Sequence, residues 1–109
     1  MTIKELKIQL ALGSIPDNER QQLAMLDETP KSILTILSND KDWTIRYWVV
    51  KNNNITIEIL KRLSNDENLS VRQQVAKHPK TPINILTKLI KGDNFQISYD
   101  ACKTRSYKM

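Results

Sequence analysis

The sequence predicts an all-α protein built as a solenoid of short helix pairs. The chain nearly repeats itself every 26 residues, and a period between about 20 and 50 residues is typical of units that stack on their neighbours. Two Gly and four Pro in 109 residues leave little room for hairpins. The apolar residues also recur at the spacing of one buried helix face. The 26-residue repeat is clearest at two sets of leucines: Leu34, Leu60 and Leu86, and Leu37, Leu63 and Leu89.

The first 28 residues predict a divergent N-terminal cap. Residues 2–12 have the apolar pattern of an amphipathic helix, and Gly13 stops it. Pro16 begins a second helix, in which Glu19 occupies a position that later repeats give to Ile or Val. This cap therefore matches the repeat only loosely.

Residues 29–54 and 55–80 are predicted to form two repeats that match each other well in sequence. The first helix of a pair is expected to begin at Thr29-Pro30 and again at Thr81-Pro82, where the threonine caps and the proline takes the first helical position. In the repeat between them, Thr56 takes the place of the proline. A Ser-Asn-Asp run then ends this helix in both repeats.

The second helix of each pair is predicted to begin after a capping residue, Asp42, Asn68 or Asn94. Helices of about nine residues are too short to be stable alone in water, so stacking must stabilise them. The residues expected to point inward are Trp43, Ile45, Val49 and Val50, then Leu69, Val71, Val75 and Ala76, then Phe95, Ile97, Ala101 and Cys102.

Two Asp–Arg pairs share one spacing: Asp40–Arg46 and Asp66–Arg72. A carboxylate before a helix and a guanidinium within it can form an ion pair inside a repeat or between repeats. The pattern predicts a structural role for both pairs. In the last repeat, residues 81–109, Gly92 replaces the Asp and Ser98 replaces the Arg, so this repeat is predicted to be decayed and to lack the pair.

The run from Val71 to Pro82, followed by Ile85-Leu86 and Leu89, resembles the leucine-rich repeat variant. That family is related in architecture to HEAT repeats. The resemblance implies a right-handed superhelix of paired short helices and a ladder of Asp and Arg side chains. Some members carry an iron–sulfur cluster outside their repeats, but this chain lacks the cysteines to hold one.

Composition limits the classes of function. The formal net charge is +5, with a balance of −2 in residues 1–28 and +3 in residues 81–109, which favours an acidic or anionic partner at the C-terminal end. The single cysteine, Cys102, cannot form an internal disulfide, so a reducing cytoplasm is expected. We expect no cofactor, no metal and no membrane contact, because further cysteines, a second histidine and a long apolar run are all absent.

The second helices also predict an exposed stripe in which lysines alternate with aromatic residues. Such a stripe can bind an acidic protein surface or peptide, our preferred function, or track the phosphates of a nucleic acid with aromatics stacked on its bases. A simpler explanation is that each lysine complements the dipole at its helix end. The candidate binding residues are Tyr47, Trp48, Lys51, Gln73, Lys77, Tyr99, Lys103 and Arg105, with Lys108 in support.

No catalytic signature appears in the sequence, so we predict a protein that is not an enzyme. A catalytic alternative in the manner of HEAT-like DNA glycosylases would need an acid in a basic cleft, and Asp100 is the only stripe residue that qualifies. Trp43 and Cys102 are expected in the core. Trp48 is expected either at an exposed contact or against the N-terminal cap. The sequence names neither the partner nor the oligomeric state.

Overall fold

A computed structural model describes residues 1–109 and contains eight α-helices and no strands. The predicted all-α class is therefore confirmed. None of these helices combines the length and the apolar content needed to cross a membrane. The helices are α1 (Ile3–Ala11), α2 (Asp17–Met25), α3 (Lys31–Leu37), α4 (Trp43–Lys51), α5 (Ile57–Leu63), α6 (Leu69–Lys77), α7 (Ile83–Gly92) and α8 (Phe95–Lys108).

The chain divides into two compact units. The N-terminal unit, Met1–Ile55, contains α1 to α4, and the C-terminal unit, Thr56–Met109, contains α5 to α8. The division falls within one residue of the sequence boundary between the repeats 29–54 and 55–80. Each unit therefore holds two helix pairs.

In the N-terminal unit, α2 and α3 both pack on α4, and α1 packs on α3. Gly13, with a φ of 70°, ends the first helix region in the left-handed conformation that glycine adopts freely. No residue of α1 is buried, so this helix contributes least to the core of the unit. The best buried side chains are Ile33, Leu34, Leu37, Ile45, Val49 and Val50.

In the C-terminal unit, α8 packs on both α6 and α7, and α5 packs on α6. Apolar residues from all four helices meet in its interior, as the repeated spacing predicts. Its best buried side chains are Leu60, Val71, Val75, Ala76, Leu86, Ile97 and Ala101.

The predicted caps of the second helices are confirmed. The side chains of Asp42, Asn68 and Asn94 each accept a hydrogen bond from a backbone N–H in the first turn of α4, α6 and α8. The Asp42 carboxylate accepts from both the hydroxyl and the N–H of Thr44, which holds the pKa of Asp42 below its ordinary value. These contacts satisfy donors that have no partner inside the helix.

Thr56, which takes the place of the proline in the middle repeat, caps α5, and its hydroxyl accepts from the N–H of Ile59. Threonine caps were predicted instead at Thr29 and Thr81. At Thr29 and Thr81 the prediction was wrong, because Pro30 and Pro82 are the capping residues there. The two threonine hydroxyls instead donate to carbonyl oxygens of the preceding helix. Proline has extended backbone at both caps, and this places each threonine one residue too early to cap.

The recurring Asp and Arg residues form two kinds of contact. Arg46 and Arg72 each donate from Nη1 to the backbone carbonyl oxygen six residues earlier, at 2.6 Å in both cases. The carboxylate of Asp40 instead pairs with Arg20, where Nε lies 2.8 Å from Oδ2. This ion pair therefore joins an arginine of one helix pair to an aspartate of the next pair. It corresponds to the predicted alternative in which the Asp and Arg contact is formed between repeats.

The prediction that the last repeat lacks this pair was wrong. Asp93, one residue after Gly92, accepts from both Nε and Nη2 of Arg72 at 2.8 and 3.0 Å. Burial alone raises the pKa of Asp93, but the hydrogen bonds from Arg72 and from the N–H of Asn94, together with the arginine charge, outweigh burial and lower it. A shift of one position was enough to hide this contact from the periodic alignment.

Two predictions about the core were also wrong. Trp43, Leu69 and Phe95 are 41%, 52% and 85% exposed, because each lies one turn before a residue of the outer stripe and shares its side of the helix. Cys102 is exposed as well, since α8 packs on α6 and α7 with its other faces. Cys102 is therefore exposed although the residues that align with it in the earlier repeats, Val50 and Ala76, are buried.

Candidate binding surfaces

The N-terminal unit carries a surface of adjoining aromatic rings and one lysine on α4. We call it the aromatic–lysine surface, and it consists of Trp43, Tyr47, Trp48 and Lys51. The ring of Tyr47 meets Trp43 edge-on at 6.2 Å between centroids and Trp48 edge-on at 5.4 Å. Such T-shaped arrangements suit the quadrupoles of aromatic rings. The three rings therefore form one continuous apolar patch along the helix.

Lys51 is held by this patch. Its Nζ lies 5.5 Å from the ring centroid of Tyr47 and 5.4 Å from that of Trp48, within cation–π distance of both. Lys51 is also the last residue of α4, where its charge favours the negative end of the helix dipole. Tyr47 and Trp48 are half-buried. Much of this surface is therefore committed to contacts inside the unit.

The C-terminal unit carries a cavity of about 530 Å³ between the end of α6 and α8, which we call the lysine cavity. Three lysines surround it, and Tyr107, 79% exposed, lies beside them. Its lining residues are Lys77, Pro79, Asp100, Lys103, Thr104, Tyr107 and Lys108.

The three lysines of this cavity are not equivalent. The ammonium group of Lys108 donates a hydrogen bond to the backbone carbonyl of Pro79, which pins it to the loop after α6. The ammonium groups of Lys77 and Lys103 form no hydrogen bond or ion pair with the protein. Two cations of the cavity are thus available to an incoming anion.

Asp100 forms the buried part of the cavity and is 7% exposed. Its carboxylate accepts a hydrogen bond from Nε2 of Gln73 at 3.0 Å, and Nε2 of Gln96 lies 3.4 Å from each of its oxygens. Both donors are neutral amides. The site therefore places a buried negative charge behind two free positive charges.

The structure divides the predicted binding residues between the two units. Tyr47, Trp48 and Lys51 belong to the aromatic–lysine surface, whereas Lys77 and Lys103 line the lysine cavity and Gln73 supports its carboxylate. The other two predicted residues lie outside both contacts: Tyr99 is 55% exposed on α8, and Nη1 of Arg105 donates to Oγ1 of Thr87 at 3.2 Å.

Two residues at this site escaped the sequence analysis: Gln96, which contacts Asp100, and Tyr107, which lines the lysine cavity. Gln96 lies four residues before Asp100 on α8, a helical spacing that brings their side chains together. Tyr107 lies one turn after Lys103 on the same helix. At the 26-residue step Gln96 aligns with Ser70 and Tyr107 aligns with Thr81, which differ from them in chemistry, so only the helical spacing itself could have indicated them.

A larger cavity, of about 670 Å³, lies in the N-terminal unit beside the ion pair of Arg20 and Asp40. Its size would favour it as a binding site. However, the two charged side chains already bind each other, and Arg20 also donates to the carbonyl oxygen of Ile15 at 2.7 Å. The lysine cavity is the better candidate because the ammonium groups of Lys77 and Lys103 have no partner in the protein.

Comparison with protein-family models, with curated proteins and with solved structures found no match for this chain. No family can be assigned by similarity. The resemblance to the leucine-rich repeat variant therefore stays a prediction.

Proposed function

We propose that this protein is a noncatalytic repeat scaffold that binds another protein through the exposed face of its second helices. The observation that carries the proposal is the lysine cavity, in which the ammonium groups of Lys77 and Lys103 have no partner in the protein. Unpaired cations beside an apolar ring suit the acidic surface or peptide of a partner protein.

We also propose that the two units belong to one right-handed α-solenoid of the leucine-rich repeat variant or HEAT-like kind, working in the cytoplasm. Support comes from local contacts that recur at the 26-residue step. The side chains of Asp40 and Asp66 accept from the N–H of the residue two positions later, and Arg46 and Arg72 repeat their contact with a backbone carbonyl. Recurrent contacts of this kind are typical of stacked repeats.

A protein ligand is favoured over a nucleic acid by the charges of the two surfaces. Lys51 is already engaged by two rings, and the buried carboxylate of Asp100 lines the lysine cavity. A phosphate chain entering that cavity would meet this like charge. An acidic peptide can orient its side chains individually and avoid it.

Nucleic-acid binding is the second candidate, and the exposed ring of Tyr107 beside three lysines favours it. Asp100 in the same cavity also supplies the acid that a glycosylase-like activity would need. Binding that tracks phosphates falls log-linearly with salt, with a slope close to the number of phosphate contacts. An acidic peptide would show a shallower dependence.

The test is fluorescence anisotropy with short synthetic peptides rich in Asp and Glu. We expect Lys77→Glu combined with Lys103→Glu to weaken peptide binding by about tenfold or more, because two charge-assisted contacts are lost. Lys61→Glu combined with Lys91→Glu is the matched control, since both lysines are exposed in the same unit and lie outside the cavity.

Three outcomes would contradict the proposal. The first is failure of the peptides to bind the unmodified protein at low salt, and the second is a control pair that weakens binding as much as the cavity pair does. A labelled single-stranded or duplex oligonucleotide that binds with a steep log-linear salt dependence, or is cleaved at a modified base, would replace protein binding with the nucleic-acid function.

A further inference from the structure

Asp100 is the only acidic residue of the chain that is buried as a whole, at 7% exposure. Its hydrogen bonds come from Gln73 and Gln96, and the second is long at 3.4 Å. No lysine of the cavity forms an ion pair with it. A buried carboxylate without a cation is unusual, because desolvation of a charge is costly unless an opposite charge compensates for it.

The other well-shielded carboxylates of the chain follow the ordinary rule. The side chain of Asp40 is 10% exposed and pairs with Arg20, and that of Asp93 is 9% exposed and pairs with Arg72. In both cases a guanidinium nitrogen lies 2.8 Å from the carboxylate. Asp100 has the burial of these residues without the arginine.

Resting on the proposed function, we infer that the lysine cavity recognises an acidic peptide segment with one embedded basic residue, whose cationic side chain binds Asp100. Lys77 and Lys103 then bind the acidic residues on either side of it. The segment supplies the one charge that Asp100 lacks and the two anions that the free lysines lack.

Arginine fits this position better than lysine. Its planar guanidinium donates two parallel hydrogen bonds to a carboxylate, the arrangement that Arg72 already forms with Asp93 at 2.8 and 3.0 Å. A purely acidic segment would leave Asp100 without a cation, whereas a purely basic one would meet three lysines. Only mixed charge matches both parts of the cavity.

The experiment uses two synthetic peptides that are rich in Glu and differ in one central residue, arginine in one and its neutral isostere citrulline in the other. Binding to the full chain is measured by isothermal titration calorimetry or fluorescence anisotropy. We expect the arginine peptide to bind about tenfold more tightly, because a charge-assisted bidentate contact replaces a neutral one.

Asp100→Asn keeps the shape and one of the two acceptor oxygens, replaces the other oxygen with an amide donor and removes the charge. We expect this variant to bind the citrulline peptide at least as tightly as the unmodified protein does, and to lose nearly all preference for arginine. Circular dichroism checks that the variant folds. The comparison of the two peptides on the unmodified protein tests the inference without any substitution.

The results separate this inference from the proposed function. Equal binding of both peptides to the unmodified protein overturns the role of Asp100 but leaves the binding of acidic peptides intact. An arginine preference that survives in Asp100→Asn also overturns it, since the cation would then be bound elsewhere. Failure of both peptides to bind overturns the inference and the proposed function together.

Discussion

In the N-terminal unit Lys51 lies over two aromatic rings, whereas its equivalent in the C-terminal unit, Lys77, lines an open cavity. Both are the last residue of their helix, so the dipole at the helix end is complemented in each case. The neighbouring residues differ. Trp48 supplies a ring under Lys51, and Asp100, at the position equivalent to Trp48 in the last repeat, supplies a buried carboxylate beside Lys77.

The difference shows how one scaffold can carry two surfaces. The helices, caps and Asp–Arg contacts recur because they hold each unit together. An indole at one outer position engages the adjacent lysine by cation–π attraction. A carboxylate at that position, held by neutral amides, leaves the lysines free.

The largest change in stability is expected from substitutions at equivalent core positions of the two units. Leu34→Ala and Leu86→Ala remove equivalent side chains of α3 and α7, both 0% exposed. Each should lower the free energy of unfolding by about 3 kcal/mol, the usual cost of a cavity left by a buried leucine. Urea denaturation followed by circular dichroism measures both. A loss below about 1 kcal/mol for either variant would show that the two cores are not equivalent.

The next largest change in stability is expected from the ion pair between Arg72 and Asp93 in the C-terminal unit. Asp93→Asn should destabilise the protein by about 2 kcal/mol at neutral pH, because Arg72 loses a charged partner with little exposure. The folded-state pKa of Asp93 lies below its unfolded value, so this contribution is present above about pH 4 and is lost as the pH falls through the folded-state value.

Urea denaturation at neutral and acidic pH tests this sign directly. The difference between the unmodified protein and Asp93→Asn should shrink as the pH falls below about 4. A difference that stays constant with pH would mean that the carboxylate charge contributes nothing to the contact.

A smaller effect separates the two equivalent lysines. Lys51→Gln should cost about 0.5 to 1 kcal/mol, because it removes the cation from above Tyr47 and Trp48. Lys77→Gln, which has no ring beneath it, should change stability by less than about 0.5 kcal/mol and should weaken binding of the acidic peptides instead. The interpretation would be wrong if Lys77→Gln lowered stability and Lys51→Gln weakened peptide binding instead.

The smallest effect compares the helix caps. Asp42 caps α4 with a carboxylate, whereas Asn68 and Asn94 cap α6 and α8 with amides. Because Asn and Asp cap about equally well, Asp42→Asn should change stability at neutral pH by only a few tenths of a kcal/mol. The pKa of Asp42 is lowered in the fold, so its charged form stabilises the protein above about pH 4 and that benefit is lost on acidification.

Thermal unfolding of Asp42→Asn across the acidic range checks this prediction. The variant should lose less stability than the unmodified protein as the pH falls. Asn68→Asp is the reciprocal variant and should acquire an added acid sensitivity. Identical pH profiles for all three proteins would contradict a charged cap at Asp42.

Much of the local structure could be predicted from the sequence, because it depends on neighbours along the chain. The caps Asp42, Asn68 and Asn94 act on N–H groups within the next three residues, and the repeated Ile, Leu and Val positions predict most of the buried side chains. Thr29 and Asp93 show where this reasoning failed. In both cases the partner lies beyond the local turn, and a shift of one residue changed the contact.

The sequence alone determined that the chain is helical, which residues cap its second helices, and which residues are equivalent at the 26-residue step. Tertiary structure alone decided which equivalent residues act alike. Trp43 and Cys102 are exposed because burial depends on which helix packs over a side chain, and periodicity does not contain that information. Likewise Lys51 and Lys77 share a position in the repeat, but the groups brought next to them in space make one a packed cation and the other a free one.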